Sequence, residues 1–60
     1  KLNPDFAEAY YNRAAALQAL NDRSSAINDY KFAAKLYQKQ GNKNNSDDAL
    51  KLVWQVEHQK

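Results

Sequence analysis

Apolar and polar positions along this chain follow the 3.6-residue period of an α-helix in successive segments. Two segments carry matching triplets, in which a second residue follows the first by four positions and a third follows by seven. These triplets are Tyr10, Ala14 and Leu17, and then Ala26, Tyr30 and Ala33. The pattern predicts a first helix over about residues 5–20 and a second over about residues 23–40.

Residues at the ends of these two segments support the same division. Asp5 can cap the first helix through its side chain. Asn21 tolerates the left-handed backbone conformation in which such a helix can end. Asp22 or Ser24 would begin the second helix, and Gly41 would terminate it. The two helices are therefore expected to form an antiparallel hairpin.

A third apolar segment follows a polar stretch that reads Gly-Asn-Lys-Asn-Asn-Ser-Asp-Asp. This composition predicts a polar loop over 41–46, the most mobile segment of the chain. Asn45 or Ser46 would then cap a third helix over 47–60. That helix is expected to bury a set with helical spacing: Ala49, Leu52, Val53 and Val56. We therefore predict an all-α chain, a helix–turn–helix followed by a C-terminal helix.

Composition agrees with a helical chain of marginal stability. One glycine and one proline among 60 residues leave few helix breakers. A chain of this length buries only about 60% of its unfolded surface on folding. The absence of methionine indicates a piece of a longer protein.

Composition also narrows the kinds of partner. There is no cysteine and a single histidine, His58, so we expect no disulfide, metal or cofactor. The net charge of +2 is too small to indicate nucleic acid, and the ladder Lys31, Lys35 and Lys39 is typical of a solvated face. No long apolar run or leader predicts a membrane span or secretion, which favours a cytoplasmic location without establishing the compartment.

Catalysis has little support in the sequence. Ser24 and Ser25 are explained as helix-start residues, and no base neighbours them. The adjacent carboxylates Asp47 and Asp48 would point in different directions on a helix. We predict that the chain is not an enzyme and has no catalytic residue.

The order of small and large residues from Leu2 to Ala33 resembles one tetratricopeptide repeat, the 34-residue helix–turn–helix unit of protein-binding solenoids. The resemblance rests on Leu2 and Pro4 together with the two triplets above. It implies that the small residues let the two helices approach closely while the aromatic residues and Leu17 fill the space between them. A generic amphipathic helical hairpin is the alternative.

Two departures from the family pattern qualify this resemblance. Arg13 occupies a position where the family has leucine, and Gln38 stands where the next proline would be due. By the resemblance, residues 1–4 are the stub of a preceding repeat, and residues 47–60 form a capping helix at the end of an α-solenoid.

First helices of this family line a concave surface that binds partners. The resemblance therefore implies a contact set on the first helix: Glu8, Tyr11, Asn12, Ala15, Gln18 and Ala19. Asn12 is similar to an asparagine that hydrogen-bonds a peptide carboxylate in related clamps. Here that clamp is incomplete, because Glu8 stands where a lysine would help. Asn12 bonding only to a neighbouring turn or to water is the alternative.

The third helix adds Leu50 and Trp54, whose apolar surface exceeds what a capping helix needs. An exposed tryptophan beside a leucine can anchor a partner. Alternatively, Trp54 folds back onto Tyr11 or Ala15 and closes the groove itself.

These observations predict a non-catalytic protein–protein interaction module that binds an unidentified peptide or protein through its concave groove. A single repeat cannot bury its own apolar faces. The alternative function is therefore self-association, as a homo-oligomer or through exchange of the third helix between copies.

Overall fold

The computed structural model describes residues 5–59 and places them in three α-helices, with no strand within that range. Helix α1 spans Asp5–Ala19, α2 spans Arg23–Lys39 and α3 spans Lys43–Glu57. The prediction of an all-α chain is confirmed. Residues 1–4, expected to be the stub of a preceding repeat, and the side chain expected to cap α1 lie outside the described part of the chain.

Two short turns with the same backbone geometry join the helices. Asn21 and Gly41 each adopt positive φ, 67° and 77° respectively, in the left-handed region that commonly ends helices. The next residue then bonds back to the preceding helix: Asp22 N–H donates to the Leu17 carbonyl at 2.9 Å. In the second turn Asn42 N–H donates in the same way, to Tyr37, at 2.8 Å.

The helix that follows each turn begins with a side-chain cap. Asp22 Oδ1 accepts from Ser25 N–H at 3.4 Å, and Asn42 Oδ1 accepts from Asn45 N–H at 3.3 Å. The second helix therefore starts from Asp22, the first of the two alternatives.

The predicted loop over 41–46 is wrong, and so is capping by Asn45 or Ser46. Helix α3 starts at Lys43, and Asn42 caps it. Asparagine, serine and aspartate have only modest helix propensity, but packing commonly overrides propensity. Here Ser46, in the first turn of α3, is 1% exposed and packed into the interior.

Packing centres on α2, which contacts both other helices. One cluster joins all three helices around Tyr30, which is 2% exposed. Its buried members are Ala14, Ala26, Tyr30, Val53 and Val56. A second cluster joins α1 to the other half of α2 through Ala7, Ala33 and Tyr37. The alanines at these contacts allow close approach of the backbones.

The sequence triplets lie at these contacts. Ala14, Ala26, Ala33 and Tyr30 are buried, while Tyr10 and Leu17 are half-buried at the edge of the α1–α2 interface. In α3, Ala49, Val53 and Val56 are buried and Leu52 is half-buried.

Candidate functional site

The outward surface of α1 carries most of the contact set expected from the sequence. Glu8, Asn12, Ala15 and Ala19 are exposed. Ala15 and Ala19 are one helical turn apart, so they leave a shallow channel without bulky side chains. Asn12 lies one turn before Ala15 and places a hydrogen-bonding amide at this channel.

Gln18 connects all three helices instead of standing open. Its Oε1 accepts from the Tyr30 hydroxyl at 3.2 Å, and its Nε2 donates to Gln59 Oε1 at 3.4 Å. Arg23 Nη1 also donates to the Gln59 carbonyl, at 3.1 Å. These bonds tie the end of α1 and the start of α2 to Gln59, two residues after α3 ends, so α1 and α3 approach each other at this end. The adjoining surfaces of α1 and α3 are the candidate groove.

Tyr11 is half-buried at the inner edge of this groove. Its ring packs edge-on against Tyr30, with centroids 5.4 Å apart and an interplanar angle of 78°. Burial, and then the neighbouring Tyr11, raises the pKa of Tyr30. Burial likewise raises the pKa of Tyr37, with smaller contributions from Glu8 and Tyr11. These two phenols are therefore held neutral, as packing groups.

Leu50 and Trp54 lie on an exposed flank of α3, beside the buried stripe of Ala49, Val53 and Val56 that packs against α2. At about 100° per residue, they share one row of the helix surface with Lys43 and Asp47. Lys43 and Asp47 line a cavity together with Gln38 of α2. Leu50 is 43% exposed and Trp54 is 60% exposed on this side. The structure thus separates the pair from the α1 residues with which the sequence grouped them.

Trp54 packs against its own helix. Its ring stacks on His58, with centroids 4.1 Å apart and an interplanar angle of 23°. His58 Nδ1 donates to the Trp54 carbonyl at 2.8 Å, which holds the imidazole in place. The alternative in which Trp54 folds back onto Tyr11 or Ala15 is therefore not adopted, because the ring stacks on His58, the residue that caps the end of α3.

Helix α3 turns a different row toward α1. Gln59, which accepts the bond from Gln18, follows α3 by two residues, and Leu52 and Gln55 lie on the flank of α3 away from Leu50 and Trp54. Leu52 packs against the core and Gln55 is exposed. The sequence did not single out this wall, because hydrophobic spacing identifies the buried side of α3 but not which flank faces α1.

The opposite flank of α1 holds an ion pair between the exposed Arg13 and the buried Asp29 of α2. Arg13 Nε contacts Asp29 Oδ2 at 2.6 Å and Arg13 Nη2 contacts Oδ1 at 3.0 Å, a bidentate arrangement. The hydrogen bond and charge of Asp29 raise the pKa of Arg13. Arg13 also lies over the Tyr10 ring, 5.3 Å from its centroid. The departure from leucine at position 13 thus supplies a polar link between α1 and α2.

An apolar patch adjoins this ion pair. Tyr10 meets Phe32 edge-on, with centroids 4.5 Å apart. Phe6, 59% exposed, lines a shallow depression with Ala9, Tyr10 and Arg13. Phe32 is itself 43% exposed, so aromatic surface from both α1 and α2 faces solvent here.

No family model, curated protein or solved structure matches this chain. None of the helices within residues 5–59 has the length and apolar character needed to cross a membrane. Over the same residues, no group of three or more histidine, cysteine or acidic side chains is placed to hold a metal ion. The arrangement offers contact surfaces: a groove between α1 and α3, and exposed apolar side chains on both outer flanks.

Proposed function

We propose that this chain is a non-catalytic protein–protein interaction module, a tetratricopeptide-like helical fragment that binds a peptide or protein in its concave groove. The observation that carries the proposal is its exposed apolar surface. Among residues 5–59, five large hydrophobic side chains are at least 43% exposed: Phe6, Leu20, Phe32, Leu50 and Trp54. These side chains lie outside the α1–α3 groove, with Phe6 and Phe32 on one flank and Leu50 and Trp54 on another, so they support an interaction module in general. The groove itself is supported by the exposed row Asn12, Ala15 and Ala19 on α1.

The groove between α1 and α3 has the chemistry to hold a peptide. Ala15 and Ala19 let a chain approach the α1 backbone closely, while Leu52 supplies apolar contact from α3. The amides of Asn12 and Gln55 can both donate to and accept from a peptide backbone. Such amides fix the orientation of a partner, while the apolar floor contributes affinity.

A blocking substitution tests this groove. Peptides selected against the chain from a phage-displayed library provide the probe, and their Kd is measured for three variants. We expect Ala15→Arg to weaken binding at least about tenfold, because the long side chain fills the channel. Asn12→Ala should have a smaller effect of the same sign.

Asn28→Arg is the matched control, since Asn28 is an exposed residue of α2 that lies outside the α1–α3 groove and receives the same long side chain. Its Kd should stay within about twofold of the unmodified chain. Equal loss in both variants, or none in either, would exclude the groove as the binding surface.

The second candidate function is self-association, favoured by the aromatic patch of Phe6, Tyr10 and Phe32. A second copy that covers this patch would remove Phe6 and Phe32 from water. Sedimentation at several concentrations tests it: Phe32→Ser should abolish any concentration-dependent dimer. Exchange of the third helix loses its main support, because the long hinge expected before α3 is replaced by a short turn.

A further inference from the structure

The chain stays close to the α1–α3 groove after α3 ends at Glu57. Gln59 lies at the end of the groove where α1 finishes and α2 begins, and it bonds to both of those helices. We propose that Gln59 is an autoinhibitory strap, which occupies polar groups that a partner peptide uses when it binds. The inference rests on the proposed function, because it concerns the same groove.

Two hydrogen bonds hold the strap. Gln18 Nε2 of α1 donates to Gln59 Oε1 at 3.4 Å, and Arg23 Nη1 of α2 donates to the Gln59 carbonyl at 3.1 Å. Both bonds are exposed to solvent. Exposed hydrogen bonds contribute little net free energy, because water competes for the same groups. The strap therefore has a defined position and is easily displaced.

Only a small movement is needed to release the strap. The preceding residue, His58, stacks on Trp54 and bonds to its carbonyl. Gln59 N–H donates to the Val56 carbonyl at 3.2 Å, so the backbone up to that amide continues the last turn of α3. Release thus involves the side chain and the carbonyl of Gln59, while α3 keeps its place in the core.

The strap presents the groups that a bound peptide presents. Gln59 offers one main-chain carbonyl and one side-chain acceptor, and an extended peptide offers main-chain carbonyls and polar side chains in the same way. The Tyr30 hydroxyl donates to Gln18 Oε1 at 3.2 Å, so Nε2 is the part of the Gln18 amide that faces a ligand. In the free chain Gln59 fills that position.

Arg23 is the second group under the strap, and the sequence did not place it in the contact set. Among the described side chains the salt bridge joins Arg13 to Asp29, whereas Arg23 donates to a neutral carbonyl. A main-chain carbonyl of a partner peptide can replace that acceptor without a change in charge. The geometry therefore adds Arg23 to Gln18 as a contact for the peptide backbone.

Two substitutions of Gln59 with opposite expected effects test the strap on the whole 60-residue chain. The probe is a peptide without charged side chains, taken from the library selection described above. Gln59→Ala removes the bond to Gln18 and should lower the Kd at least about threefold, because more molecules have an open groove. Gln59→Glu keeps the shape and offers a charged acceptor to Gln18 and Arg23, so it should raise the Kd.

A matched control and a direct readout accompany the Kd values. Gln38→Ala makes the same change at an exposed glutamine near the other end of α2, and its Kd should stay within about twofold of the unmodified chain. The side-chain amide resonances of Gln18 report the strap without any peptide. They should shift in Gln59→Ala and again when the peptide binds to the unmodified chain.

Three results would overturn the strap. Unchanged Gln18 resonances in Gln59→Ala would show that the contact is absent from the free chain. Kd values that are unchanged, or that move in the same direction in Gln59→Ala and Gln59→Glu, would exclude competition. If Ala15→Arg still weakened binding in that case, the proposed function would stand without the strap. Shifted Gln18 resonances with no peptide binding to any variant would contradict the proposed function, and the competition with it.

Discussion

The two turns of this molecule have one geometry and two very different sequences. Asn21 and Gly41 occupy the left-handed position, and Asp22 and Asn42 the capping position. The residues after the first turn return quickly to an apolar pattern. Those after the second turn stay polar for several positions, yet they form a helix just as promptly.

This difference shows what closes a helical hairpin. A residue that tolerates positive φ, followed by a side chain that caps the next helix, is present in both turns. Four residues after each cap comes a small buried residue, Ala26 in α2 and Ser46 in α3. Close packing against the neighbouring helix at that position matters more than the polarity of the residues between.

The two interfaces also differ in chemistry. Asp29 of α2 is buried and paired with Arg13 of α1. Twenty residues later, the corresponding position in α3 is the buried Ala49. The α1–α2 contact therefore includes a directional polar link, whereas the buried apolar residues Ala49, Val53 and Val56 dominate the α2–α3 contact.

The largest expected effect comes from removing the residue that joins both hairpins. Tyr30→Ala should destabilise the chain by about 3–5 kcal/mol, since a buried aromatic ring is lost from the three-helix cluster. For a marginally stable 60-residue chain, this predicts loss of all three helices in far-UV circular dichroism at 25 °C.

Tyr30→Phe is the control, because it keeps the ring and removes only the bond to Gln18. It should cost about 1 kcal/mol. If Tyr30→Ala melted α3 and left α1 and α2 folded, the two hairpins would not share one core.

The next prediction compares Gly41 and Asn21, the two residues with positive φ. Gly41→Ala should cost about 1 kcal/mol of unfolding free energy, because alanine is strained at positive φ. A Cβ there would meet no atom within 4 Å, so the penalty comes from the backbone alone. Asn21→Ala should cost less, since asparagine already bears part of that strain, and Asn21→Gly should stabilise slightly.

Urea unfolding of the three variants measures these differences. An unchanged free energy in Gly41→Ala would mean that the second turn does not adopt the geometry of the first.

A smaller effect on the free energy of unfolding, of opposite sign, is expected at Ser46, the buried position of α3 that corresponds to Ala26 in α2. The hydroxyl of Ser46 is buried without a hydrogen-bond partner among the described residues. Ser46→Ala should therefore stabilise the chain by about 0.5–1 kcal/mol, through relief of that hydroxyl and better helix propensity. Ala26→Ser makes the reverse change in α2 and should destabilise. A lower thermal midpoint for Ser46→Ala would show that the hydroxyl has a partner, such as bound water.

The smallest expected effect is a loss of stability at alkaline pH, which comes from the buried tyrosines Tyr30 and Tyr37 of α2. Burial raises the folded-state pKa of Tyr30 and Tyr37 above the usual value near 10. Folding therefore favours the protonated phenols. Their contribution is complete below about pH 10 and is lost as pH rises through the folded pKa.

Urea unfolding between pH 8 and pH 11 measures this. The decline in the free energy of unfolding above pH 10 should be shallower in the Tyr30→Phe, Tyr37→Phe double variant than in the unmodified chain. An identical decline in the double variant and the unmodified chain would show that the stability lost at alkaline pH comes from other groups.

The sequence predicts much of the fold because its apolar spacing and turn residues agree. It does not predict the start of α3, since no local signal shows that Ser46 is buried against its neighbours. Nor does the sequence predict on which flank of α3 Leu50 and Trp54 lie relative to α1. The spacing identifies Val53 and Val56 as buried, but which flank of α3 faces α1 depends on the handedness of the packing.

The most direct test of this account is the Cα secondary chemical shift of residues 43–48. If the second turn is equivalent to the first, these residues have helical shifts beginning at Lys43, with an Asn42 side-chain contact to the Asn45 amide. Random-coil shifts up to Asp48 would contradict the account, because they would restore a long loop and leave the flank assigned to Trp54 without support.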